Sequence, residues 1–244
     1  MTSIALIVQA RMLSTRLPGK SMMLLAGKPL VHRIFERLKR CRSPDHLIAA
    51  VPDGAEDDVL ANYLGSMDVA VFRGSESDVR ARYLGAAAAT KADIIVRIPA
   101  DNVAPEPEEI DRVIDYHLHL GRRGFSSNLA QLRNSGYPDG IGAEVFETSL
   151  LEEAATKYFF PEALEHVHRN FFNYATDTGI DEKWCPISAP PCPADIRRPD
   201  IVLDVNTAEQ YKRMSELYEA LCGEDNTFGI REIIKWHDSR KLND

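Results

Sequence analysis

The chain has no run of 18 consecutive apolar residues, so no membrane-spanning helix is expected. It has only four cysteines, Cys41, Cys185, Cys192 and Cys222, and no C-x-x-C pair. That argues against a zinc ribbon and a dense disulfide framework, and unpaired thiols in a reducing cytoplasm are the expectation. An excess of basic residues is missing as well: 29 Lys and Arg face 37 Asp and Glu, for a net charge of −8. A broad nucleic-acid footprint is therefore excluded as an expectation. The opening "MTSIALIVQARM" has too short an apolar part, and turns basic too soon, for a signal peptide. There is no G-x-G-x-x-G fingerprint, no internal repeat and no low-complexity tract.

What is present is a regular alternation. "SIALIV" (3–8), "HLIAAVP" (46–52), "DVAVFRG" (68–74) and "DIIVRIPAD" (93–101) read as buried strands. Between them, 29–41, 55–66, 76–91 and 106–121 read as helices, with Pro29 suited to a first turn and Gly121 to a stop. Strand and helix in alternation predict crossover units on a largely parallel sheet. The regularity fades after residue 121. Residues 122–146 read as strand, loop and strand, and helices follow near 148–157 and 161–173. A proline-rich stretch, 184–200, leads to a last strand, 201–206, and helices near 207–222 and 229–240. One domain is expected over 1–244, with a lid-like or dimerisation portion at about 122–200. Phe159, Phe160, Phe171 and Phe172 are more apolar surface than a small lid needs to bury.

Open α/β sheets bind ligands at the carboxyl ends of their strands. Strand one ends in "QARMLSTRLPGK", which brings Arg11, Ser14, Thr15, Arg16 and Lys20 together; strand four ends in Asp101; and Asp204 and Asn206 share one face of the last strand. Arg forks and a Lys point charge suit phosphates, and carboxylates from separate strand ends suit Mg²⁺. A Walker A loop would need glycine where the chain has Ser14, and Pro18 interrupts it. The remaining possibility is a basic loop that wraps a nucleoside triphosphate.

"ARMLSTRLPGK" (10–20) resembles the signature of the CMP-sugar-acid cytidylyltransferases, including the CMP-KDO synthetases. "VFRGSESDVRARYLGAA" (71–87), "VRIPADNVAPEPEEIDRVI" (96–114), "GYPDGIGAEVFETSLLEEA" (136–154), "EALEHVHRN" (162–170) and "LDVNTAEQY" (203–211) are similar to the spore-coat polysaccharide branch, in the right order along the chain. The resemblance implies an α/β fold of the nucleotide-diphosphosugar-transferase type, a three-layer sandwich with a mixed, mostly parallel sheet. It implies transfer of CMP from CTP to a small acidic acceptor, a sugar acid, with Mg²⁺, in a homodimer. Carried over, Arg11 and Lys20 would contact the triphosphate and Ala10 would approach base or ribose. Arg73, Ser75 and Arg82 would line the nucleotide pocket, and Asp101 would bind metal. Glu144, His166 and Arg169 would lie near the acceptor or a subunit interface. The chain departs from the branch at Pro99-Ala100, Asn102-Val103-Ala104, Asn206, Ala208 and Gln210. The usual second carboxylate is Asn206 here, and Asp204 is expected to replace it. The rival readings are a nucleotidyltransferase with a non-sugar acid acceptor and a non-catalytic nucleotide-binding module.

Overall fold

The computed structural model describes residues 2–129 and 132–241; residues 130 and 131 of the expected loop lie outside them. Four strands have the expected places: β1 (Ile4–Gln9), β2 (His46–Pro52), β3 (Ala70–Gly74) and β4 (Ile94–Pro99). Three shorter ones follow in the same sheet, β5 (Phe125–Ser127), β6 (Glu144–Glu147) and, after a small hairpin of β7 (Phe172–Asn173) with β8 (Thr178–Gly179), β9 (Ile187–Ser188). The seven-stranded order is β9-β5-β6-β4-β1-β2-β3. β1 runs parallel to β2 and β4, β2 to β3, and β5 to β9, whereas β6 is antiparallel to β4 and β5. The sheet is mixed and mostly parallel, as the resemblance implied.

Period-two alternation sends each central strand's side chains into two separate cores. Ile4, Leu6 and Val8 of β1, with Ile94, Val96 and Ile98 of β4, enter the first. Helices α1 (Leu30–Leu38), α2 (Asp58–Gly65), α4 (Pro107–His119), α7 (Ala208–Leu221) and α8 (Ile230–Lys241) all contribute residues there. Ala5, Ile7 and Ile95 enter the second, against α3 (Val79–Thr90), α5 (Thr148–Lys157) and an aromatic group of Phe125, Phe146, Phe171 and Phe172. Three layers result. No helix among the described residues is long and apolar enough to cross a membrane.

Local chemistry explains the helix starts. Asp78 caps α3 through the amide of Ala81, and Thr207 and Gln210 form a reciprocal capping box on α7. Pro29 stands one residue earlier than expected, as the extended cap of α1.

Three expectations change. The helix expected over 161–173 is only α6 (Pro161–Glu165), because His166 is extended and a separate 3-10 turn covers Val167–Asn170. The buried amide of Asn170 holds that break by donating to the carbonyls of Ala163 and Val167. The strand expected at 201–206 is not a sheet strand. It threads between two loops through single bridges, Val202 with Asp139 and Asp204 with Asn102, while keeping its alternating burial. Finally, Phe171 and Phe172 are fully buried in the second core, and of Phe159, Phe160, Phe171 and Phe172 only Phe159, at 71% exposure, remains as an open apolar surface.

The first core also holds a buried charge. Arg37 of α1 donates to the carbonyls of Pro105 and Phe228, pairs with Glu106 and stacks on the Phe228 ring. Removing one partner of such a pair leaves an uncompensated buried charge. Arg37→Leu is expected to lower unfolding stability by about 3–5 kcal/mol in urea titrations.

Candidate active site

Because β1 and β4 are buried on both faces, their polar residues collect at the carboxyl ends. The loop after β1 folds on itself: the amides of Ser14 and Gly19 both donate to the Met12 carbonyl, and the Ser21 hydroxyl donates to the Arg11 carbonyl. Asp57 anchors it through the amide of Met12. Gly19 takes a left-handed φ of 73° with open space around its Cα, so backbone freedom, not room, requires glycine there.

This loop walls a cleft of about 320 Å³. Ala10, Arg11, Ser14, Thr15, Arg16 and Lys20 form one side, and Asp101, His166 and Asn206 face them. Asn206 is the meeting point. Its Oδ1 accepts from Arg16 at 2.7 Å and from Lys20 at 3.1 Å, and its Nδ2 donates to Asp204. Lys20 also donates to the Val205 carbonyl and lies 3.8 Å from Asp101. Burial pulls the Lys20 ammonium below its usual pKa, against the pull of Asp101. Arg11 reaches across to Glu165 at the end of α6 at 3.3 Å.

Other expected residues sit outside the wall. Asp204 is half-buried behind Asn206, with its oxygens taken by Asn206 and Gln210. Arg73 binds the carbonyls of Pro52 and Gly54 and pairs with Asp58, and the Ser75 hydroxyl accepts from the Asp78 amide, so both shape a neighbouring turn. Arg82 is 1% exposed and none of its three guanidinium nitrogens has a partner among the described residues, although the charges of Arg11 and Asp57 act on it. Such a group favours a ligand that brings an acceptor. Glu144 is buried against Arg97, and Arg169 has an unpartnered Nε. Beside them, burial pushes the His168 imidazole down to about 2, with Arg97, His166 and Arg169 adding to the effect, so it is neutral.

Gln9, expected in the polar cluster at the end of strand one, lines the cleft, which also contains residues that sequence reasoning missed: Ser21, Arg97 and Glu165. Arg97 did leave a signal, a charge inside the apolar run "DIIVRIP" in phase with Asp101. Glu165 left none, because its partner lies 154 positions away. Asp139 was missed too. Its carboxyl is pushed up to about 6 by burial, then by the charges of Asp204 and Asp101.

The donor set fits a hard divalent cation. Asp101 offers an anionic oxygen at the wall and Asp204 a second carboxylate behind it, which suits Mg²⁺, an ion that keeps waters and bridges to phosphates. Among the described residues no group of three or more His, Cys, Asp or Glu is arranged to hold a metal, so the remaining ligands would come from water and substrate. A cavity of about 460 Å³ around Arg40, Glu106, Asp111 and Arg231 lies elsewhere. Its charges are largely spoken for: Glu106 by Arg37 and the Ile230 amide, Asp111 by the amides of Arg42 and Ser43, and Arg231 by Asp195.

A family model described as "Cytidylyltransferase" matches residues 5–181. The chain is 30% identical over 239 residues to the spore coat polysaccharide biosynthesis protein SpsF of Bacillus subtilis (strain 168), covering 96% of this chain and 93% of that protein. It is 32% identical over 114 residues to the 3-deoxy-manno-octulosonate cytidylyltransferase of Geobacter sulfurreducens, a match spanning 46% of this chain and 44% of that one. Among solved structures, a cytidylyltransferase from Leptospira borgpetersenii superposes with a TM-score of 0.87 at 24% identity, over 99% of this chain and 96% of that one. A CMP:2-keto-3-deoxy-manno-octonic acid synthetase complexed with CTP gives 0.62 at 14% identity, over 90% and 99%. The Rv0371c protein of Mycobacterium tuberculosis with manganese gives 0.59 at 18% identity, over 88% and 99%.

The raised Asp139 carboxyl has a consequence for stability. The native state holds this proton up to pH of about 6, and the unfolded chain releases it near the ordinary value of about 4. Its contribution is complete below pH ~4, is lost as pH rises to ~6, and stays lost above. In EDTA, Asp139→Asn should therefore be more stable than the wild type at pH 8 by about 1–2 kcal/mol, the full linkage value being reduced by solvent screening. The difference should shrink between pH 6 and 4, as read by urea unfolding.

Proposed function

The chain belongs to the cytidylyltransferase family, and from that membership we propose that it transfers the cytidylyl group of CTP to a sugar acid, releasing pyrophosphate, in the synthesis of a surface polysaccharide or related glycan. The acceptor hydroxyl oxygen forms a bond to the α-phosphorus as the bond to the β-phosphate oxygen breaks. Little covalent chemistry falls to the protein, so positioning and charge neutralisation dominate. Arg11, Arg16 and Lys20 take the β- and γ-phosphates and the charge of the leaving pyrophosphate. Ser14 and Thr15, on the same loop, offer hydroxyls to the phosphates, and Ala10 keeps the approach to the ribose narrow. Arg82 supplies the buried guanidinium for which the nucleotide brings an acceptor, and Arg73 and Ser75 shape the adjoining turn. His166 and Arg169 lie toward the acceptor.

Mg²⁺ would be held by Asp101, with Asp204 as the second carboxylate, and when bound it would neutralise phosphate charge and lower the pKa of the acceptor hydroxyl. The observation that carries this reading is the convergence of Arg16 and Lys20 on one amide oxygen beside Asp101, at the carboxyl ends of β1 and β4. A cytoplasmic homodimer, with no nucleic-acid or membrane partner, completes the proposal; light scattering at micromolar concentration tests the dimer. Neither rival reading finds support among the relatives.

The test is pyrophosphate release from CTP with Mg²⁺, scanned over a panel of sugar acids and against ATP and GTP. CTP should be the preferred nucleotide, and equal use of all three would remove the cytidylyl assignment. Lys20→Ala should weaken CTP binding by roughly 1.5–3 kcal/mol, the range of a charge-assisted contact, and CMP binding much less. Equal losses for the two in calorimetry would mean that Lys20 does not meet the outer phosphates.

A further inference from the structure

Arg97 breaks the pattern of the strand that carries it. Its neighbours on the same face, Ile95 of β4 and Ile7 of β1, belong to the second core, yet position 97 is a guanidinium only 5% exposed. A buried charge is tolerated when it is paired and hydrogen-bonded. Glu144 meets the first condition. The β4–β6 register sets it opposite Arg97, and its carboxylate, 0% exposed, accepts from Nη1 at 2.8 Å. Glu144 is itself fixed, since it accepts from the Tyr174 hydroxyl at 3.1 Å, and Tyr174 lies 3.0 Å from the Ser127 hydroxyl on β5. The second condition is unmet: the Nε of Arg97 is buried and has no partner among the described residues.

A structural ion pair would be closed off inside the core. Here the Arg97 member forms part of the cleft wall, together with His166 and with Gln9 on the neighbouring strand, whose Oε1 is also buried and without a partner among the described residues. The cleft thus has two cationic regions. Arg11, Arg16 and Lys20 lie on the loop that follows β1, whereas Arg97 lies inside β4, two residues before its end at Pro99. Arg169, near by on the lid, has an unpartnered Nε as well. If the first region meets the triphosphate, the second has a planar, half-used fork left for another anion, and a carboxylate is the planar group that an Arg fork receives.

We propose that Arg97 binds the carboxylate of the acceptor, and that Glu144, braced by Tyr174 and Ser127, is the positioning residue that keeps the guanidinium aimed. This rests on the acid-acceptor reading above. It makes the chain selective for acids over neutral sugars, because a neutral acceptor would leave the buried Nε unpaired.

The test uses the full chain loaded with CMP and two acid probes, 3-deoxy-manno-octulosonate and N-acetylneuraminate, each beside its uncharged methyl ester, in calorimetry. Arg97→Lys keeps the charge that Glu144 needs, so the fold should survive, but it removes the fork. It should weaken binding of the preferred acid about 10- to 100-fold, retain CTP binding, and leave the weak binding of the ester unchanged. Glu144→Gln should weaken the acid several-fold in the wild-type background and add nothing to Arg97→Lys, as expected for residues acting through one contact. Equal weakening of acid and ester, loss of CTP binding in parallel, or additive losses in the double variant would each overturn the assignment and leave Arg97 structural. Wild-type protein that binds CTP but neither acid would overturn the acid-acceptor reading and, with it, this role. Wild-type binding of the acid that survives Arg97→Lys would overturn only the role of Arg97.

Discussion

The double-sided burial of β1 and β4 is the constraint on which the rest of the molecule depends. Both faces of these strands are packed by helices, so neither can carry an ionisable side chain cheaply along its length. Polar chemistry is driven to the strand ends and to the loops that leave them. The basic loop after β1 and Asp101 after β4 are neighbours because the strands are parallel and in register, with Gln9 opposite Pro99. Arg97 is the exception inside this sandwich, and it exists only with a buried carboxylate directly across the strand pair.

Asn206 does what a carboxylate at its position would do poorly. An amide both donates and accepts, so Asn206 can donate a hydrogen bond to Asp204 while accepting from Arg16 and Lys20. Two carboxylates in that contact would repel, and one would have to hold a proton. The departure from the family pattern at 206 and the carboxylate at 204 are therefore one arrangement. It ties the first loop of the chain to its last crossing segment, over 190 positions, and leaves Asp101 as the carboxylate at the cleft wall.

The segment 158–184 is built differently. Phe171 and Phe172 pack against Phe125 of the sheet, Phe171 also against Phe146, and Trp184 stacks on Phe171, which fixes the segment as part of the second core. Glu165 and His166 then line the cleft from a short helix end, where Glu165 pairs with Arg11 of the basic loop. That pair is solvent-exposed, so it contributes little to stability and can open without disturbing the aromatic packing beneath.

The order of strands and helices over residues 3–121 was legible in the sequence, because period-two apolar runs and helical spacing are local properties. So was the loop "ARMLSTRLPGK", whose residues are contiguous and whose place at a strand end follows from the alternation. Residues 201–206 show where local reading stops. The apolar alternation is there, but whether it becomes a strand depends on which backbone lies alongside, and here two loops do. The reading of two phenylalanines failed for the same reason: Phe171 and Phe172 looked like surplus apolar surface until the fold brought the sheet's phenylalanines against them. Glu144 was expected near the acceptor, but its pairing with Arg97 was not readable, since that pairing is set by the antiparallel register of β4 and β6. The sequence by itself determined the kinds of groups available and the strand ends that present them. The tertiary structure decided which of those groups are met by a neighbour, as Asp204 is by the Asn206 amide and Arg73 by Asp58, and which are left with an unmet hydrogen bond, as Arg82 and Arg97 are. That choice belongs to the fold because desolvation and hydrogen bonding act through space, between residues that the chain separates by tens to hundreds of positions.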